Sequence, residues 1–139
     1  MTRLLLDTCS VIDLITSPRT TELEFWDIFD DPETMPYISF ETARELVVHF
    51  NNKRLLSKHW QTAKQMLFSI QRDYGIEIHP LRRDTAFTYA DLQLNEEQDH
   101  RDPSDHIIIA HTITEKLTLL SSDEKFPFYR NQGPDLIEY

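Results

Sequence analysis

Four acidic residues carry the chemistry this sequence suggests: Asp7, Glu45, Asp105 and Asp123. Asp7 closes the apolar run Arg3 to Leu6, and Asp123 follows Leu119-Leu120-Ser121-Ser122. Glu45 lies about one turn into a helical stretch, and Asp105 falls in the first turn of another. If the apolar runs are parallel strands of an open sheet, ligands gather beyond their carboxyl ends, and all four acids reach one rim. Like charges packed that closely repel, so one is ordinarily protonated. Hard oxygen donors in this arrangement suit Mg²⁺ or Mn²⁺. Such ions polarise a phosphodiester, ionise a bound water and stabilise the leaving oxygen, so phosphodiester hydrolysis is the chemistry to expect.

Each acid also has a purely local use, and at this level both uses stay open. Asp102 and Asp105 suit a helix N-terminus, Thr42-x-x-Glu45 matches a capping box, and Asp7 and Asp123 suit turns after strands. His49 follows Glu45 by four residues and shares its helix face, as a substrate contact or as a solvated side chain. Thr8 and Ser121 are placed to support a ligand carboxylate, or to satisfy local backbone. Lys53, Arg54, Lys58 and Lys64 are the densest basic region, either steering phosphates or simply solvated. His106 and His111 lie five apart, a poor spacing for one helix face. With one cysteine and no HExxH, nothing points to zinc. A serine or cysteine nucleophile lacks a placed histidine, and Cys9 is expected to be buried and inert.

The elements that must position these groups alternate strand and helix. Strands are predicted at Arg3 to Leu6, Tyr37-Ile38, Ile76 to His79, Leu117 to Leu120 and Leu136 to Glu138. Helices are predicted over Ser10 to Ile15, Thr21 to Phe29, Ser39 (as N-cap) to about Phe50, Lys58 to Tyr74, Asp84 to Leu92, and Asp102 to Glu115. Trp60, Ala63, Met66, Leu67 and Ile70 form a 3.6-residue stripe, and Trp26 and Trp60 are assigned to the core. Gly75 is placed to cap one helix at its C-terminus. Asp102-Pro103-Ser104-Asp105 is a strong helix start, with an N-cap, a proline at the first position and a second acid for the dipole. Asn95 to Arg101 reads as a polar loop. The pattern implies an α/β fold with a mostly parallel sheet covered on both faces, in one domain over residues 1–139.

Bulk properties narrow the function. The chain has 139 residues, 40% hydrophobic and 27% charged, ordinary for a globular domain. Its two glycines, Gly75 and Gly133, exclude Gly-rich phosphate loops. A single cysteine excludes an internal disulfide and fits a reducing cytoplasm. The apolar N-terminal run is too short for a signal peptide or a membrane span. The net charge of −10 argues against grip on a phosphate backbone by long-range attraction, although bound cations would offset part of it at the site.

Two stretches resemble a known family. Leu4-Leu5-Leu6-Asp7-Thr8-Cys9-Ser10-Val11-Ile12-Asp13-Leu14 is similar to the first motif of PIN-domain proteins. His100-Arg101-Asp102-Pro103-Ser104-Asp105-His106-Ile107-Ile108-Ile109-Ala110, followed by Leu117 to Phe126, resembles the C-terminal half of VapC-type toxin ribonucleases. The resemblance implies a three-layer α/β/α sandwich and a ribonuclease dependent on Mg²⁺ or Mn²⁺. It assigns metal ligation to Asp7, Asp105 and Asp123, with Glu45 completing the acidic set directly or through water, and Glu41 competing for the place of Glu45. Ser121 matches the supporting hydroxyl. Cys9 stands where relatives have Asn, and His49 where they often have Lys.

The function expected is therefore an RNA-cleaving toxin with an antitoxin partner, with a homodimer plausible through the apolar helices. The alternative is a non-catalytic module of the same fold whose acidic rim docks a basic partner. A metal-dependent phosphatase would call for an aspartate nucleophile in another motif.

Overall fold

The computed structural model describes residues 1–16, 23–55 and 59–139. Five parallel strands form one sheet: β1 (Thr2–Leu6), β2 (Thr34–Ser39), β3 (Glu77–His79), β4 (Thr118–Ser121) and β5 (Asp135–Glu138), in the order β3-β2-β1-β4-β5. β1 is the central strand, pairing with β2 on one side and β4 on the other. Its Leu4, Leu5 and Leu6 are all fully buried. A strand buried on both faces reads as a continuous apolar run, which is the form this sequence takes.

Alternation along β1 divides the core in two. Leu4 and Leu6 join Val11, Leu14, Trp26, Leu46, Met66 and Ile70, which belong to the helices α1 (Thr8–Thr16), α2 (Leu23–Phe29), α3 (Phe40–Asn51) and α4 (Ala63–Tyr74). Leu5 points the other way, to Ile108 and Ile109 of α6 (Pro103–Glu115), with Phe126, Tyr129 and Leu136. α5 (Arg83–Asp91) packs against α6. The result is a three-layer α/β/α sandwich, as expected.

Local chemistry sets the helix ends. Ser39 caps α3 by accepting from the Glu41 amide at 3.1 Å, and Thr62 caps α4 by accepting from Gln65 at 3.1 Å. That cap explains why α4 starts at Ala63, later than expected; Lys58 lies outside the described residues, and Trp60 is half-buried against the core. Residues 21 and 22 are also outside them, and α2 is described from Leu23. Gly75 ends α4 with a left-handed φ of 67°, a conformation glycine adopts at no steric cost. β2 is longer than its two-residue expectation because its outer residues pair with β1. The segment Pro127–Gln132, to which no element was assigned, is a 3₁₀-helix that buries Tyr129.

Candidate metal centre

Strand order locates the site. The chain leaves β1 toward β2 on one side and returns to β4 on the other, so a crevice opens at the carboxyl ends of β1 and β4, the switch point of an open α/β sheet. Asp7 follows β1 directly, and Asp123 follows β4 by two residues.

Asp7 is almost fully buried and serves two purposes at once. Its Oδ1 accepts from the Ser10 amide at 2.8 Å, which caps α1. Its Oδ2 accepts from the Ser121 hydroxyl at 2.5 Å. Burial pushes its carboxyl above the ordinary value, the Ser10 and Ser121 bonds pull it back, and the charge of Asp123 pushes it up again. Ser121 Oγ also accepts from the Asp123 amide at 3.1 Å, so one hydroxyl ties the ends of both strands together.

α6 delivers Asp105. Asp102 caps that helix by accepting from the Ser104 amide at 2.9 Å, with Pro103 at its first position. Asp105, partly buried in the first turn, is pushed up to about 8, first by burial and then by Asp102, Asp123, Asp7 and Glu45. Every charge in that list is a carboxylate. Donor atoms of Asp105, Asp123 and His100 lie within 4.8 Å of one another. Asp123 spends one oxygen on its own turn, Oδ1 accepting from the Lys125 amide at 2.9 Å.

α3 delivers Glu45. Its Oε1 accepts from the Thr8 hydroxyl at 2.5 Å, and burial lifts its carboxyl, with Asp102 and Glu41 adding to the effect. Glu41, one turn earlier, is engaged elsewhere. Its Oε1 accepts from the Arg44 guanidinium and from the Ser104 hydroxyl, the latter at 2.7 Å. Burial opposes ionisation of Glu41, but those bonds outweigh it and hold the carboxyl below the usual range.

The structure thus sets Asp105 and Asp123 side by side, with Asp7 and Glu45 close enough for their charges to act on Asp105. Thr8 and Ser121 each hold one of the acids. His49 is half-buried one turn beyond Glu45, and among the described residues no hydrogen bond joins it to the four acids. Cys9 is exposed, contrary to expectation, because it lies off the buried face of α1. Its thiol is pushed up to about 12 by lost hydration and then by Asp7, Asp105, Asp13 and Asp123, so it stays neutral.

Residue-by-residue reading passed over His100. It was visible only as the start of the stretch leading to Asp105, while the partner that gives it meaning, Tyr129, is 29 positions away.

The donor set fits a hard divalent cation. Carboxylates converge on a half-buried acid with no cationic group among the charges acting on it, an arrangement that a bound Mg²⁺ or Mn²⁺ stabilises.

The PIN domain family model matches residues 4–132, and the chain belongs to that family. Solved structures share its fold. A VapBC2 complex from Rickettsia felis bound to a promoter DNA fragment superposes with a TM-score of 0.71 at 20% identity, over 99% of this chain and 98% of that one. VapBC-1 from nontypeable Haemophilus influenzae gives 0.70 at 16% identity, over 99% and 98%. VapBC-5 from Mycobacterium tuberculosis, a toxin–antitoxin family member, gives 0.65 at 20% identity over the full length of both chains. Comparison with curated proteins gives no sequence match.

Proposed function

We propose that the chain is a Mg²⁺- or Mn²⁺-dependent endoribonuclease, the toxin half of a toxin–antitoxin pair. The observation that carries this is Asp105: a partly buried carboxylate at the sheet's switch point, facing Asp123 and acted on by Asp102, Asp7 and Glu45 as well. Asp7, Asp105 and Asp123 would hold the cation, with Glu45 completing the set directly or through water. When bound, the cation supplies charge to the scissile phosphate and lowers the pKa of water.

The chain's own residues do the positioning. Ser121 holds the Asp7 carboxylate by Oδ2 and keeps the Asp123 turn against it. Thr8 holds Glu45 by Oε1. His49, one turn beyond Glu45, is the group we assign to contact RNA beside the acids. Toxin–antitoxin complexes among proteins of the same fold support an antitoxin partner for this one. A single cysteine supports a reducing, cytoplasmic setting, and one continuous five-stranded sheet supports a single domain over residues 1–139. Among the described residues no helix is long and apolar enough to cross a membrane. Homodimerisation through exposed apolar helix residues belongs to the same proposal.

The test is RNA cleavage with added Mn²⁺ by the wild-type chain and by Asp7→Asn and Asp105→Asn. Cleavage confined to the wild type is expected; equal cleavage by the variants sinks the proposal. The net charge of −10 favours a second reading, in which the acidic rim docks an Arg-rich partner segment without catalysis. Calorimetry showing no Mn²⁺ binding but tight capture of an Arg-rich peptide selects that reading.

A further inference from the structure

Behind Asp105 stands a line of buried groups that the acidic cluster alone does not require. The His100 ring is 2% exposed, and its Nε2 lies 2.9 Å from Asp105 Oδ2. Its Nδ1 lies 2.9 Å from the hydroxyl of Tyr129, which is itself fully buried. That hydroxyl accepts from the Asn95 amide at 3.0 Å. Phe126, Tyr129 and His106 pack edge-on or tilted around the ring, and His106 Nε2 donates to the His100 carbonyl at 2.9 Å.

Hydrogen-bond satisfaction sets the direction of this line. The Tyr129 oxygen already accepts from Asn95, so its own proton needs an acceptor, and among the described residues that acceptor is His100 Nδ1. Nδ1 is then bare and Nε2 carries the proton, so the imidazole donates to Asp105 Oδ2. Every donor from Asn95 onward points toward the carboxylate. The reverse arrangement gives the Tyr129 oxygen two donors and strands a buried hydroxyl proton.

We infer that His100 is a positioning residue: anchored by Tyr129, it holds Asp105 by Oδ2 and leaves Oδ1 as the oxygen presented to a cation. Asn95 extends the same support to the neighbouring acid. Its side-chain amide donates to the Lys125 carbonyl at 3.1 Å, and the Lys125 amide donates to Asp123 Oδ1. One loop residue therefore braces the turns that carry both Asp105 and Asp123. The metal-binding part of this inference rests on the cation site proposed above; the hydrogen-bond part does not. Partners that orient a ligand from behind typically change metal affinity 10–100-fold when removed.

Two measurements separate the possibilities. Long-range ¹H–¹⁵N spectra of the imidazoles in the metal-free protein should show His100 as the neutral Nε2–H form; an Nδ1–H form overturns the inference. Mn²⁺ titration by calorimetry should show affinity falling about 10–100-fold in His100→Phe, with most of the loss recovered in His100→Gln, whose amide donates from nearly the Nε2 position. A role in packing alone would give the opposite order, because Phe refills the aromatic nest and Gln does not. Tyr129→Phe, which removes the anchor and keeps the ring, should fall between them and carries the comparison if His100→Phe does not fold. Unchanged affinity in all three overturns the inference and leaves the nuclease reading standing. A wild type that binds no Mn²⁺ overturns the nuclease reading instead, and the spectra then decide the inference alone. Loss of the Nε2 proton on adding Mg²⁺ overturns it in favour of direct ligation.

Discussion

Glu41 and Glu45 lie one turn apart on the same helix, and the structure treats them in opposite ways. Glu41 is matched: Arg44 and Ser104 satisfy it, and its carboxyl is held below the ordinary range despite burial. Glu45 faces Thr8 and further acids, and its carboxyl is raised. The same contrast separates Glu41 from Asp105, which is pushed up to about 8 by burial and surrounding carboxylates. A fold that ends its electrostatic adjustments with a neutralised acid has built structure. One that leaves several acids facing each other across a crevice has left a charge for something else to balance.

The sharpest way to break this comparison is to remove a carboxylate from each side. Asp105→Asn should reduce Mn²⁺-dependent RNA cleavage by more than about 100-fold, since even outer partners of metal ligands cost 10–100-fold. Glu41→Gln should retain most of the activity in the same assay. Similar losses in both variants would erase the distinction between the two carboxylates.

Next in size is stability in metal-free buffer. The Asp105 carboxyl, ordinarily 3.8, is pushed up to about 8 in the fold by burial and the neighbouring acids. Across that window the folded state keeps a proton the unfolded state has released, so stability from this group is full below about pH 4 and is lost as pH rises through 8. Asp105→Asn should therefore be more stable than the wild type above pH 8, by on the order of 2 kcal/mol in urea unfolding, with the gap closing in acid. Glu41 has the opposite sign: its contribution is present above the ordinary carboxylate pKa and is lost as pH falls through its lowered value.

Arg44→Met tests the matched side. Arg44 is half-exposed while the Glu41 side chain is 8% exposed, so the cost of stranding the carboxylate is tempered by water. We expect about 1–2 kcal/mol, read as a lower urea midpoint. A change below a few tenths would mean that Ser104 alone satisfies Glu41.

The smallest effect concerns Cys9. Its alkylation by iodoacetamide at about pH 9, where Asp105 is ionised, should be slow and should quicken severalfold on adding Mg²⁺ or in Asp105→Asn, because the surrounding negative charge adds to lost hydration in disfavouring the thiolate. A rate indifferent to both changes would place the thiol outside the field of the cluster.

Much of the fold was legible because it is written locally. Asp102-Pro103 announces α6, Ser39 announces α3, Gly75 ends α4, and the apolar run before Asp7 is long enough to mark a buried strand. The parallel, two-sided sheet follows from the alternation of strands and helices, whereas its order β3-β2-β1-β4-β5 is set by pairings between segments distant in sequence. What could not be read locally depends on partners distant in sequence. Glu41 and Glu45 lie one turn apart in a helical pattern, and besides the local Arg44 pair they are told apart by Ser104, 63 positions from Glu41, and Thr8, 37 positions from Glu45. His100 appears as part of a polar loop until Tyr129 arrives from the 3₁₀-helix. Local capping and participation in a cluster also proved compatible: Asp7 caps α1 and faces Asp123 at once, so a capping pattern did not discriminate.

The hydroxyl of Ser121 joins residues 114 positions apart, Asp7 near one end and β4 near the other. A contact of such separation closes a large loop, at an entropic cost that grows only slowly with its length. During synthesis, a nascent chain that has emerged only as far as α5 carries Asp7 and Glu45 but lacks α6 and the strand that brings Asp123. The acidic crevice is therefore complete only once β4 and the turn after it are present, and a fragment ending at α5 lacks Asp105 and Asp123.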